Sequence, residues 1–207
     1  MAEAGYRQLL SYKLAQIAFD LGWDFVPKYY YKVEDSRQRD QIKQALRSYK
    51  QNIVEGSSER SLSSKLKLYD VAKSSSVEAL EDFEDILRLQ NLSRWQKADP
   101  RLSKLHTVFE TPNPSNPSFP PHPSVSKTSE VLGGLGGREE TEAVVNYLID
   151  LLLRGGFLLD RQIDAIEEKH RREGGYNENL FRKRLEYKKF HPDPPNPPNP
   201  SNPPRSS

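Results

Sequence analysis

The chain has 207 residues, enough for one substantial domain or two small ones, and 31 Lys and Arg against 29 Asp and Glu leave a net charge of +2. No overall basic field therefore marks a nucleic-acid binder, and any such role must rest on local charge. The absence of cysteine excludes a disulfide framework and thiolate metal sites and fits a reducing compartment. The N-terminus MAEAGYRQ lacks the layout of a signal peptide, and the most apolar window, 143–159, is interrupted by Asp150 and Arg154. These features predict a soluble, cytoplasmic protein with no membrane segment.

Residues 6 to about 30 read as a first helix, with Tyr6, Leu10, Leu14, Ile17, Leu21 and Phe25 on one face. Tyr12, Phe19, Trp23 and Val26 lie on nearly the opposite side, more apolar surface than a lone surface helix exposes. Such a helix is packed on both sides, either centrally within one chain or at a subunit interface.

The stretch 41–59 predicts a second helix. Ile42, Ala45, Leu46, Tyr49 and Ile53 form its anchoring face, beside a basic strip of Arg39, Lys43, Arg47 and Lys50. Gly56 is its expected stop. A third helix, about 62–90, is again two-faced. Leu62, Leu66, Tyr69, Phe83 and Leu87 lie on one side, and the smaller Leu68, Ala72, Ser75, Ala79 and Ile86 on the other, where another helix could approach closely. Along it run Glu78, Glu81, Asp82, Glu84 and Asp85. With no histidine near, these carboxylates read as a solvated face rather than a di-metal site.

Ser93 to Gln96 has capping-box form and predicts either a short helix ending near Pro100 or one restarting through 101–108. Residues 111–127, TPNPSNPSFPPHPSVSK, are too proline-rich for a helix and read as a linker, extended by a glycine hinge at 133–137. The longest helix spans 138 to about 172, with one wide apolar stripe that includes Val144, Leu148, Leu151, Leu152 and Leu159, and with Asp150, Arg154, Asp160, Arg161 and Asp164 opposite. That stripe needs a partner, and the second faces of the first and third helices are the candidates. A last helix covers 176–190. From Lys169 to Lys189 eight basic side chains face three acidic ones, the strongest local bias in the chain. The segment after His191 is a Pro/Asn tail.

No two of His106, His122, His170 and His191 stand at ligand spacing, and no nucleophile elbow is present, so the sequence predicts neither a metal nor a cofactor and no enzyme.

The order Tyr6-x-x-Leu9-x-x-Tyr12-x-x-Ala15, Gln41-Ile42-Lys43, Asn52 to Gly56, and Val71-Ala72-x-x-Ser75-x-x-Glu78 resembles the small bacterial four-helix-bundle proteins. That group includes the ribosomal-RNA intervening-sequence proteins and the accessory variability determinants of diversity-generating retroelements. Val54 departs from the alanine usual there. The likeness covers about residues 6–92, and 140–188 resemble a C-terminal suffix found in a subset. It implies an all-α fold, an antiparallel up-down four-helix bundle with additional C-terminal helices. The division is then 1–110 as bundle core, 111–137 as linker, 138–190 as a helical suffix packing on the bundle, and 191–207 as tail. It further implies a homo-oligomer, a pentamer in the family, with basic surface for structured RNA and a reverse transcriptase as partner.

The expected function is a non-enzymatic adaptor whose basic helix faces contact phosphates, with affinity that falls with salt and little base discrimination. The residues assigned are Arg37, Arg39, Lys43, Arg47 and Lys50, continued by Arg60 and Lys65, and a second patch of Arg182, Lys183, Arg184, Lys188 and Lys189. The same charges could instead solvate helix faces or pair with the carboxylates of the third helix. The alternative function is a protein-protein interaction module that binds no nucleic acid. A hydrolase would require a cleft with shifted carboxylates near Glu78 to Asp85.

Overall fold

The computed structural model describes residues 5–111 and 122–191. After a 3-10 turn, Gly5–Gln8, the chain forms helices α1 (Leu10–Tyr29), α2 (Ser36–Ser58), α3 (Leu62–Leu89), α4 (Pro100–Phe109), α5 (Val125–Val131), α6 (Gly137–Glu173) and α7 (Tyr176–Phe190). The described residues are helical or in connections, with no strand. No helix among them is long and apolar enough to cross a membrane.

Local chemistry sets most of the helix ends. The Ser61 hydroxyl accepts from the Ser64 N–H at the start of α3, and Asp99 caps α4, with Pro100 in the first turn where its missing N–H costs nothing. The Ser124 hydroxyl accepts from the Lys127 N–H and opens α5, so the proline-rich segment gives way to helix at Val125, inside the range expected to be linker. No proline follows Pro123 until the tail, and a good cap stands directly after it. Most of the linker reading, 112–121, and the tail reading beyond 191 lie outside the described residues. Gly174 ends α6 at a positive φ of 75°, which glycine adopts without a Cβ penalty.

Each of the four long helices packs against two others: α1 on α2 and α6, and α3 on α2 and α6. Leu14, Ile17, Leu21, Ile42, Leu46, Ile53, Phe83, Leu148 and Leu151 are buried between them, each worth about 1.5–3 kcal/mol of transfer free energy. The close approaches use small residues. Ser75 of α3 donates to the Ser48 hydroxyl of α2 at 2.8 Å, and Gly155 of α6 lies against Tyr49. Gly56 does not end α2, which runs on to Ser58. It is buried inside the helix where a Cβ would strike the Tyr69 ring.

Three boundaries differ from the sequence reading. Residues 1–110 contain three long helices and the short α4, whereas the fourth long partner, α6, comes from beyond the linker. Residues 138–190 do not pack as one segment, because the first half of α6 is deeply buried while no residue of α7 is. Ser93 to Gln96 is irregular rather than helical. Trp95 donates its backbone N–H to Asn146 (2.7 Å) and its indole N–H to Glu142 (2.9 Å), and the Ser93 N–H also goes to Glu142. Those bonds to α6 replace the helical ones, and α4 opens only at Pro100.

Candidate functional site

The basic strip of α2 and the second face of α1 meet. Lys43 lies over the Trp23 ring with its Nζ 3.6 Å from the centroid, and Lys50 lies over Phe19 at 3.5 Å. The two rings are 5.2 Å apart. Trp23 remains 48% exposed and Phe19 is half-buried. Burial pushes the Lys50 ammonium below its ordinary pKa, opposed by Asp20 and reinforced by Arg47. Each such contact is worth about 0.5–1 kcal/mol at an exposed site, so it orders the lysines without consuming their charge.

Arg47 and Arg37 are exposed on the same helix, while Arg39 donates to the Tyr30 carbonyl at 3.1 Å. Among the described residues none of Arg37, Arg39, Lys43, Arg47 and Lys50 forms an ion pair, so the carboxylates of α3 do not neutralise the strip. Arg60 is exposed between α2 and α3, and Lys65 reaches the Ser57 carbonyl at 3.4 Å.

The second patch is arranged differently. Arg182, Lys183, Arg184, Lys188 and Lys189 are all exposed on α7. At about 100° per residue they encircle the helix instead of forming a stripe. The exposed Leu180, Phe181, Leu185 and Tyr187 are interleaved with them.

Of the residues assigned to an interhelix or oligomer face, Tyr12, Val26, Ala72, Ser75, Ala79 and Ile86 are buried within the single chain and Leu68 is half-buried. Their cover comes from α2 and α6, so the apolar excess of α1 and α3 does not demand a second subunit. Of these residues only Trp23 is exposed, and it and the half-buried Phe19 lie beneath lysines.

Among the acidic residues of α3, Glu78, Glu81 and Asp85 are exposed. Asp82 is half-buried and accepts from Gln38 at 2.6 Å; burial pushes its carboxyl up and that bond opposes the shift. The shallow groove beside it, lined by Glu81, Glu84, Asp85, Leu87, Arg88, Leu92 and Arg94, holds no histidine.

A polar network invisible to spacing sits between α4 and α6. Asp150, expected on the outer side of its helix, is 6% exposed because α4 covers it. Its carboxylate lies 2.7 Å from His106 Nε2 and 3.1 Å from Arg154, and Arg154 also grips Glu110 with two bonds of 2.7 and 2.6 Å. Burial raises the Asp150 pKa, but the bonds from His106 and Arg154 outweigh it and hold the carboxyl below the ordinary carboxylate value. His106, Glu110 and Asp150 place ligand atoms within 4.8 Å of one another. The Arg154 guanidinium already occupies the carboxylates, however, so a divalent cation would have to displace it. The sequence signal for this network was the pair of i, i+4 spacings, His106 with Glu110 and Asp150 with Arg154.

No protein-family model, curated protein or solved structure matches this chain.

Proposed function

We propose that the protein is a non-enzymatic adaptor that binds nucleic acid along the α1–α2 face, its four long helices forming an antiparallel bundle that holds this face rigid. The observation that carries the reading is Lys43 and Lys50 seated on Trp23 and Phe19 with no carboxylate paired to them. Cations fixed in a row contact successive phosphates, and an exposed indole beside them gives an unpaired base a surface to stack on, worth about 1–3 kcal/mol per base. Arg47 extends the track on α2, while Arg37 lies on the other flank of that helix, in the groove it forms with Ser75 and Glu78 of α3. The likeness of residues 6–92 to retroelement accessory proteins adds structured RNA as ligand, a reverse transcriptase as partner and a homopentamer as assembly. The single chain supports the ligand more directly than the assembly, since it covers most of its own apolar faces.

The test is anisotropy of a labelled RNA hairpin with a single-stranded tail, titrated with the full chain between about 50 and 200 mM salt. Affinity should fall steeply with salt. Lys43→Glu with Arg47→Glu should weaken it by more than about tenfold and make the salt slope shallower by about one to two. Absence of binding at the lowest salt, or unchanged binding by the double variant, would overturn the reading.

A second reading, a protein-protein interaction module, is supported by α7, whose Leu180, Phe181 and Leu185 face solvent. The two readings separate on the variants. Phe181→Asp with Leu185→Asp should leave RNA binding intact if the α1–α2 face is the site.

A further inference from the structure

A cleft of about 350 Å³ opens between the start of α1, the connector around Trp95, α4 and the middle of α6. That volume falls within the range of small-molecule sites, about 300–1,000 Å³. Leu14, Leu102 and Leu158 line its depth. Leu10, Leu153 and Phe157 line it too and are 51%, 47% and 61% exposed, so three large apolar side chains around one cavity are left to water. Large apolar side chains left exposed side by side around one cavity mark a place where something else covers them.

The polar lining is one-sided. Arg94, Lys97 and Arg154 contribute three cations against one carboxylate, Asp150. Asp150 is already engaged by His106 and Arg154, and its side chain is only 8% exposed. Arg94 is held by longer contacts, 3.7 Å to Glu84 and 3.4 Å to Asn146. Lys97 is exposed and forms no ion pair among the described residues. An apolar body with Lys97 unpaired at its edge and Arg94 held only by contacts of 3.3–3.7 Å is complementary to an amphiphilic anion. A neutral apolar ligand would leave the cations unused, and a polyanion would leave the leucines uncovered.

We infer that this cleft binds a small amphiphilic carboxylate, its hydrocarbon or aromatic body against Leu14, Leu153 and Phe157 and its carboxylate between Arg94 and Lys97. The site shares no residue with the α1–α2 face and is independent of the proposed nucleic-acid role.

Isothermal titration of the full chain with dodecanoate, and in parallel with dodecanol as its neutral counterpart, tests the inference. Dodecanoate should bind saturably at one site, and dodecanol at least about tenfold more weakly. Lys97→Glu, at an exposed position that leaves the fold intact, should weaken dodecanoate by about tenfold and leave dodecanol unchanged. Leu153→Asp should abolish both, with helical circular dichroism confirming that this variant is folded. Non-saturable dodecanoate binding, equal affinity for the alcohol, or indifference of dodecanoate to Lys97→Glu would each overturn it.

Discussion

Replacing Arg154 with alanine is expected to destabilise the fold by about 3 kcal/mol, because it leaves Glu110 and Asp150 as adjacent carboxylates with His106 as their remaining partner. The figure sits at the low end for a broken buried pair, since the Arg154 side chain is 30% exposed and water can partly replace it. Urea unfolding followed by helical circular dichroism measures the loss, which corresponds to a melting temperature lower by roughly 2–4 °C per kcal/mol for a chain of this size. Adding Asp150→Asn to Arg154→Ala should recover part of it, since one of the stranded charges is then gone. The pH dependence follows with a definite sign. Asp150 is held below its ordinary pKa, so its contribution is present above about pH 4, the unfolded value, and is lost as pH falls further. In Arg154→Ala that acid limb should be shallower.

The second large effect is at the centre of the bundle. Gly155 faces the Tyr49 hydroxyl so closely that a Cβ built on it would overlap the oxygen, and Tyr49 is fully buried. Alanine in place of a helical glycine gains about 1 kcal/mol of propensity, while overpacking costs about 1–3 kcal/mol. The overlap wins because a ring enclosed on all sides cannot swing away, and Gly155→Ala should lose about 1–2 kcal/mol net. The Tyr49 hydroxyl has no hydrogen-bond partner among the described residues. Tyr49→Phe alone is therefore expected to be neutral or mildly stabilising, and in that background Gly155→Ala should recover nearly all its loss. Thermal melts of the four chains of this cycle decide it. If Gly155→Ala is equally damaging with phenylalanine at 49, the overlap is not the cause.

Much of the helix layout was legible in residue order. The apolar periodicity of 62–90 and 138–172 and the restart expected over 101–108 give ends that the fold keeps within a residue or two. What stayed hidden depends on partners far apart in sequence. Gly56 looked like a stop because glycine commonly is one, and only the Tyr69 ring from α3 explains a glycine inside the helix. Asp150 looked solvated because its own helix places it opposite the apolar stripe. Its burial is imposed by α4, more than forty residues earlier, through His106. The candidate site was legible by halves. The lysines at 43 and 50 and the aromatics at 19 and 23 each stood out, but as a charged strip and as a separate greasy face. Their pairing is a property of how α1 packs on α2, which periodicity within either helix does not encode.

The fluorescence of Trp23 tests the central claim most directly. The chain contains only one other tryptophan, Trp95, pinned against α6 away from the basic strip, so Trp95→Phe leaves Trp23 as sole reporter. On titration with a single-stranded oligonucleotide at low salt, Trp23 emission should quench saturably as a base stacks on the ring, and raising the salt should reverse the change. Emission that stays constant throughout that titration would contradict the account.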